Sequence, residues 1–157
     1  MILISHRGNL QGPNKSRENS TSQIDLVLSL GLDCEIDVWI INKEIFLGHD
    51  SPMEMVSLEW LIARSSRLWI HCKNLDSLEF FVNSSLSLNY FWHQNDDYTL
   101  TSRGFIWAFP GKPLSSSSIL VLPELEMDTS RDYLEFNQCS FIGICSDYVQ
   151  KIKVRIF

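Results

Sequence analysis

The first fifty residues carry three short segments whose side chains can do chemistry: His6-Arg7-Gly8, Glu35-Ile36-Asp37 and His49-Asp50. Each lies at the end of an apolar run that reads as a β-strand. Glu35 and Asp37 are two apart, so on a strand they share a face. Carboxylates on one face can share a hard cation. His6 and His49 can serve as general acid and general base near neutral pH. Arg7 offers paired donors that match phosphate oxygens. An acid, a base, a cation site and an anion clamp are what the cutting of a phosphodiester needs. His71-Cys72-Lys73 adds a second pair on one strand face, His71 and Lys73, with Cys72 pointing the other way. His71 reads either as a metal ligand or as a core histidine with its bonds satisfied. His93 is divided in the same way between pocket and structure, and Trp107 is read first as core.

The elements that must position these residues follow from local pattern. Met1–Ser5 reads as a short buried strand that stops at a charged, glycine-containing turn. Residues 9–19 form a polar loop. A helix is expected over Thr21–Leu30, capped by Ser20 or Thr21, with Ile24, Val27 and Leu28 inward and Gly31 ending it. Leu32–Val38 reads as a strand, and Trp39–Leu47 as a hairpin turning at Asn42-Lys43. Further expectations are a helix at Leu58–Arg64, a strand at Leu68–Lys73, and a helix at Leu75–Leu86 with Leu75, Leu78, Phe81 and Val82 inward. Strand candidates continue at Tyr90–His93, Phe105–Phe109, Ile119–Leu122 and Phe141–Cys145, with a helix candidate at Asp132–Asn137. Glu124–Asp128 is read as a solvated acidic loop. Strands alternating with helices imply parallel β-α units and an α/β fold. Active sites in such folds gather at the carboxyl ends of the strands, and His6-Arg7, Glu35-Asp37, His71-Lys73, His93 and Asp147 all fall at or just past those ends.

Bulk composition sets outer limits. At 157 residues, 45% hydrophobic and 20% charged, the chain is expected to form one domain over 1–157 with its own core. A net charge of −6 argues against a nucleic-acid partner. It allows a small anionic substrate, because local charge in a pocket outweighs the total. Cys34, Cys72, Cys139 and Cys145 form no C-x-x-C pair and are read as small buried hydrophobes. No run approaches a membrane span, and the chain reaches His6 without a basic, apolar leader, so a cytoplasmic location is expected.

His6-Arg7-Gly8, Glu18-Asn19, Glu35-Ile36-Asp37 and Gly48-His49-Asp50, in this order and at this spacing, resemble the signature of the glycerophosphodiester phosphodiesterase family, within the phospholipase C-like phosphodiesterases. The resemblance covers the first fifty residues well and thins afterwards. Where the family has Glu-x-Lys, this chain has His71-Cys72-Lys73. Gly143-Ile144-Cys145-Ser146-Asp147 is similar to the family's closing strand, and Phe105-Ile106-Trp107 is loosely like its tryptophan-bearing strand. The resemblance implies that His6 and His49 are the acid and base, and that Glu35, Asp37 and His71 hold a divalent metal. It further implies that Arg7 and Lys73 bind the phosphate. Glu18, Asn19, Asp50, His93 and Trp107 are placed around that centre or in its pocket. Oxygen ligands point to Mg²⁺ or Ca²⁺ first; an imidazole at position 71 brings in Mn²⁺ or Zn²⁺.

The family's fold is a TIM-type β/α barrel, which usually runs to about 250 residues. A chain this short is expected to form a reduced barrel with several outer helices missing in its C-terminal half. Aromatic residues there, or a second copy in a homo-oligomer, would cover the bare wall. The expected function is metal-dependent hydrolysis of a small phosphodiester. A weak or inactive relative that binds a phosphorylated ligand, and a lyase that releases a cyclic phosphate, are the alternatives.

Overall fold

The computed structural model describes residues 1–126 and 141–156. The helix expected at Asp132–Asn137, Cys139, and the end of the acidic stretch at Asp128 lie outside the described residues. The order of elements is β1 (Ile2–Ser5), α1 (Thr21–Ser29), β2 (Asp33–Ile41), β3 (Glu44–Leu47), β4 (Glu54–Val56), α2 (Leu58–Arg64), β5 (Leu68–Cys72), α3 (Leu75–Asn83), β6 (Asn89–Phe91), β7 (Tyr98–Leu100), β8 (Ile106–Ala108), β9 (Ser118–Val121), a 3-10 turn (Pro123–Leu125), β10 (Gly143–Ser146) and α4 (Val149–Ile156).

Among the described residues ten strands form one sheet in a mixed α/β fold. Seven are parallel, in the order β6-β5-β2-β1-β10-β9-β8. β3 and β4 extend the β2 side as an antiparallel meander, and β7 folds back on β8. Because the seven run the same way, their carboxyl ends share one edge. β2 is long enough to pair with β1 through Asp33 and Cys34 and with β3 through Val38–Ile41. The hairpin turns at Asn42 and Lys43 as expected, both with positive φ (52° and 70°), the geometry of a tight two-residue turn.

Alternation along the strands sorts the apolar residues into two clusters. One face contributes Leu3, Ile36, Val38, Ile70, Leu120 and Ile144, packed against Ile24, Val27, Phe81, Val149 and Ile152 of the helices. The other contributes Ile4, Trp69, Phe91, Trp107, Ile119, Val121 and Cys145. Trp69 on β5 and Trp107 on β8 lie 5.8 Å apart between ring centroids. They are five strands apart along the ladder, which in a flat sheet is about 24 Å. The sheet therefore curls strongly around the second cluster. It does not close: among the described residues no ladder joins β6 to β8. The chain between them returns as β7, and Ser102 bridges to β6 instead, its N–H bonding Tyr90 O and its Oγ bonding Leu88 O. Closure into a complete barrel is thus not seen.

Several local expectations are corrected. Ser20 makes no side-chain cap on α1; the Glu54 carboxylate accepts from Thr21 N and Oγ1 and does that work. α3 ends at Asn83, where Ser84 turns extended, and only Phe81 of its expected stripe is fully buried. Leu75 and Val82 are exposed, and Ser77 and Phe81 are the buried residues of the helix. Phe91, Phe105 and Trp107 pack inside the curl with Trp69 and do not cover its outer wall. β4, β7 and α4 were not anticipated; α4 buries Val149 and Ile152, one turn apart. Among the described residues no α-helix lies between β6 and β9. Cys34, Cys72 and Cys145 are buried thiols. Among the described residues no helix is long and apolar enough to cross a membrane.

Candidate functional site

β1 delivers His6 to the shared carboxyl edge and then turns sharply. Arg7 adopts a left-handed backbone (φ 53°), a strained choice for a residue with a Cβ. Gly8 follows at φ 89°, and a Cβ there would meet Gln23 Cγ at 3.0 Å. The turn aims the Arg7 N–H at Glu35, which accepts it at 3.1 Å.

On the neighbouring strands, Asp37 and His71 are register partners. Glu35, Asp37 and His71 are all buried, and they offer one ligand atom each within 4.8 Å of one another. Donors 2.0–2.5 Å from a shared ion sit within about 5 Å of each other, so the spacing suits a metal. Burial, and next the charge on Asp37, raise the Glu35 carboxyl above its ordinary value. Burial acts on Asp37 the same way, but the His71 hydrogen bond and the charges of His71, Lys73 and Arg7 hold it well below the usual carboxylate range. Two buried carboxylates and an imidazole this close together are a place where a cation can be held.

Asp37 is also heavily engaged. It accepts from Asn19 Nδ2 at 2.9 Å and from His71 Nδ1 at 2.9 Å. Lys73 Nζ stands 3.5 Å from one of its oxygens. Arg7 Nε stands 3.3 Å from the other, an ion pair without hydrogen-bond alignment. Arg7 and Lys73, expected on the phosphate, are here turned to Asp37. The second nitrogen of His71 lies 3.2 Å from His93 O. Both His71 partners are acceptors, so both bonds form only when each ring nitrogen carries a hydrogen. Coordination of a metal at either nitrogen replaces one of them.

His6 is bonded through Nδ1 to Asp147 Oδ1 at 2.8 Å, just past β10. Asn9 grips the same oxygen at 2.8 Å with its amide, which also reaches Glu18 at 2.9 Å. Glu18 lies 3.6 Å from Arg7. One chain of contacts thus runs from Asp147 through Asn9, Glu18 and Arg7 to Asp37. Burial opposes the charged His6 ring, but the bond to Asp147 and the charge of Glu35 together raise His6 above 6.5.

His49 arrives on the loop after β3. Gly48 N donates to Asp37 O, and Trp39 Nε1 donates to Gly48 O at 2.6 Å, which ties the loop to β2. Gly48 has φ 145°, and a Cβ there would fall 2.1 Å from Ser51 O, so only glycine fits. His49 Nδ1 bonds Asp50 at 2.7 Å, and partial burial lowers the His49 ring below 6.5. Arg7, Lys15, Glu18, Asn19, His49 and Asp50 line one cleft of about 300 Å³. A larger cavity of about 590 Å³ beside β7 and β8 is lined by groups such as Leu100, Ile106 and Leu114 and offers no acid–base pair or cation.

His93 stacks on His71 with ring centroids 4.5 Å apart; burial, then His71 and Lys73, push it down to about 4. It is a packing neighbour of His71. Trp107 belongs to the aromatic core. Two groups were missed. Asn9 had no signal beyond its place after His-Arg-Gly. Glu124, which the sequence places in a solvated acidic loop, is half-buried and accepts from Ser146 Oγ and Asp147 N. No protein-family model matches this chain, and no curated protein or solved structure matches it.

Proposed function

We propose that this chain is a metal-dependent phosphodiesterase of the glycerophosphodiester type, built on a β/α barrel reduced to a curled, unclosed sheet. The observation that carries the proposal is the buried Glu35–Asp37–His71 set, at the same sheet edge as the His6–Asp147 pair and the Arg7 turn. A divalent ion held by that set would polarise the phosphoryl group. The remaining work falls to the protein's own groups. His6, raised above its ordinary value by the Asp147 bond and the Glu35 charge against burial, is the histidine that holds its proton more firmly, and it acts as the acid that protonates the leaving oxygen. His49, lowered by burial, gives up its proton more readily and takes the proton of the attacking hydroxyl. Two like groups whose values are pushed apart divide the acid and base roles. Arg7 and Lys73 neutralise charge at the mouth, and the phosphate competes with Asp37 for them. An attacking water gives hydrolysis, whereas a hydroxyl of the substrate itself gives a cyclic phosphate and the lyase outcome.

A second reading is favoured by a separate observation. Asp37 is already met by Asn19, His71, Lys73 and Arg7, an internal set of donors that can replace an ion. On that reading the chain binds a phosphorylated ligand without turning it over. Assay of glycerophosphocholine and bis(p-nitrophenyl) phosphate, with and without chelator, separates the two. Metal-dependent turnover that is lost in His6→Ala and His49→Ala supports the enzyme. Binding of glycerophosphate by calorimetry with no product supports the inactive relative.

A further inference from the structure

We infer that Glu124 is a positioning residue for His6, acting through the backbone and side chain at the end of β10. The 3-10 turn that carries it is anchored on β10: Leu122, in a left-handed conformation (φ 43°), donates its N–H to Cys145 O at 2.8 Å. From there both Glu124 oxygens turn onto the next two residues, Ser146 at the end of β10 and Asp147 just past it. Oε1 accepts the Asp147 N–H at 2.7 Å, a short charge-assisted bond. Ser146 Oγ lies 3.1 and 3.0 Å from the two oxygens and in turn accepts from Tyr148 N. The backbone at Ser146, Asp147 and Tyr148 is thereby held by one carboxylate. Asp147 leaves this anchored point with its Oδ1 on His6 Nδ1 and Asn9 Nδ2. Asn9 fixes the carboxylate from the front, and Glu124 fixes the backbone behind it.

A half-buried carboxylate beside Asp147 needs such a reason to be there. Burial raises Glu124, and the neighbouring Asp147 charge adds to the cost. A solvated loop residue would avoid both. The groups that face His6 are Asp147 from β10, Glu35 from β2, and Arg7 next to it in the chain. Of these only Asp147 has its aim set by Glu124.

The inference rests on the proposed phosphodiesterase only in giving His6 a catalytic task; the positioning itself is measured without turnover. The experiment is an NMR titration of the four histidine rings, with His6 assigned through His6→Gln, in the parent chain, Glu124→Ala and Glu124→Gln. In Glu124→Ala the His6 midpoint is expected to fall toward 6.5, with His93 unmoved. Glu124→Gln is expected to restore it, since its amide oxygen still accepts from Asp147 N and its NH₂ meets Ser146 Oγ. If Glu124→Ala does not fold, Glu124→Asp, one methylene too short to reach both partners, is read in the same way. A His6 midpoint unchanged in the folded Ala or Asp variant overturns the inference. In turnover assays kcat is expected to fall about tenfold in Glu124→Ala with KM unchanged, as for other supporting partners. A shifted His6 in a chain without turnover supports Glu124 and refutes the enzyme. An unmoved His6 in an active chain does the reverse.

Discussion

Asp37 and His71 stand opposite each other on adjacent parallel strands, with His71 Nδ1 2.9 Å from Asp37 Oδ1. The resemblance that the N-terminal motifs carry has a glutamate where this chain has His71. A nitrogen donor there changes both the charge of the set and the ion it suits. Titration with Mn²⁺, Zn²⁺ and Mg²⁺ by calorimetry is expected to rank Mg²⁺ weakest. His71→Ala is expected to weaken Mn²⁺ binding tenfold or more, about the effect of removing a supporting partner. His71→Glu is expected to shift preference toward Mg²⁺. Unchanged Mn²⁺ affinity in His71→Ala would exclude the residue as a ligand.

If the chain turns over a phosphodiester as proposed, the pH dependence follows from the opposite shifts of the two histidines. His49 must be unprotonated to act as base, so its activity limb rises below 6.5. His6 must be protonated to act as acid, so the falling limb lies above 6.5. A bell-shaped kcat/KM profile with one limb on each side of 6.5 is expected. His49→Ala is expected to remove the acidic limb and His6→Ala the basic one, each with a loss of about 10²–10⁴-fold. Loss of the opposite limb in either variant exchanges the two roles.

Stability also depends on the His6–Asp147 pair. His6 is raised on folding, so its contribution is complete below 6.5 and is lost as pH rises through the folded value. Asp147 is lowered, against burial, by the His6 hydrogen bond and charge, so its contribution is complete above 3.8 and is lost as pH falls through the folded value. The pair therefore stabilises most between 3.8 and 6.5. Tm measured from pH 3 to 9 is expected to flatten on both sides in Asp147→Asn. A pH profile parallel to that of the parent chain contradicts the coupling.

The packing of α3 offers a test of the fold itself. Phe81 is fully buried between the helix and the sheet, so Phe81→Ala is expected to cost about 3–5 kcal/mol. Leu75 and Val82, on the same helix, are exposed, and Leu75→Ala is expected to change stability by less than about 0.5 kcal/mol. Asn74→Ala removes a capping box and is expected to cost about 1 kcal/mol. Urea unfolding monitored by tryptophan fluorescence gives all three.

Much of the site could be read locally. Period-two alternation is a property of the strand alone, so it placed Glu35 with Asp37 and His71 with Lys73 without knowledge of neighbours. The Asn42-Lys43 turn was equally local, because two residues decide it. The polarity of Asp128 and its neighbours misled the reading of Glu124, since a charge in a short loop has no local mark of what it will touch. Leu75 and Val82 misled it too, as helical spacing shows a stripe but packing against the sheet decides which face is buried.

What remained hidden is what only distant pairing decides. β1 pairs with β10 across most of the chain, and that single ladder brings Asp147 to His6 and Glu124 behind it. The meeting of Trp69 with Trp107 depends on the curl of the whole sheet, which sums small twists over five strand pairs. Whether the last gap is bridged by a ladder or by Ser102 is decided there as well. The types of the candidate site groups and the strand faces they share are written in the sequence, because side-chain chemistry and alternation are local. Their convergence on one edge of an unclosed sheet belongs to the tertiary structure, because it depends on which strands become neighbours.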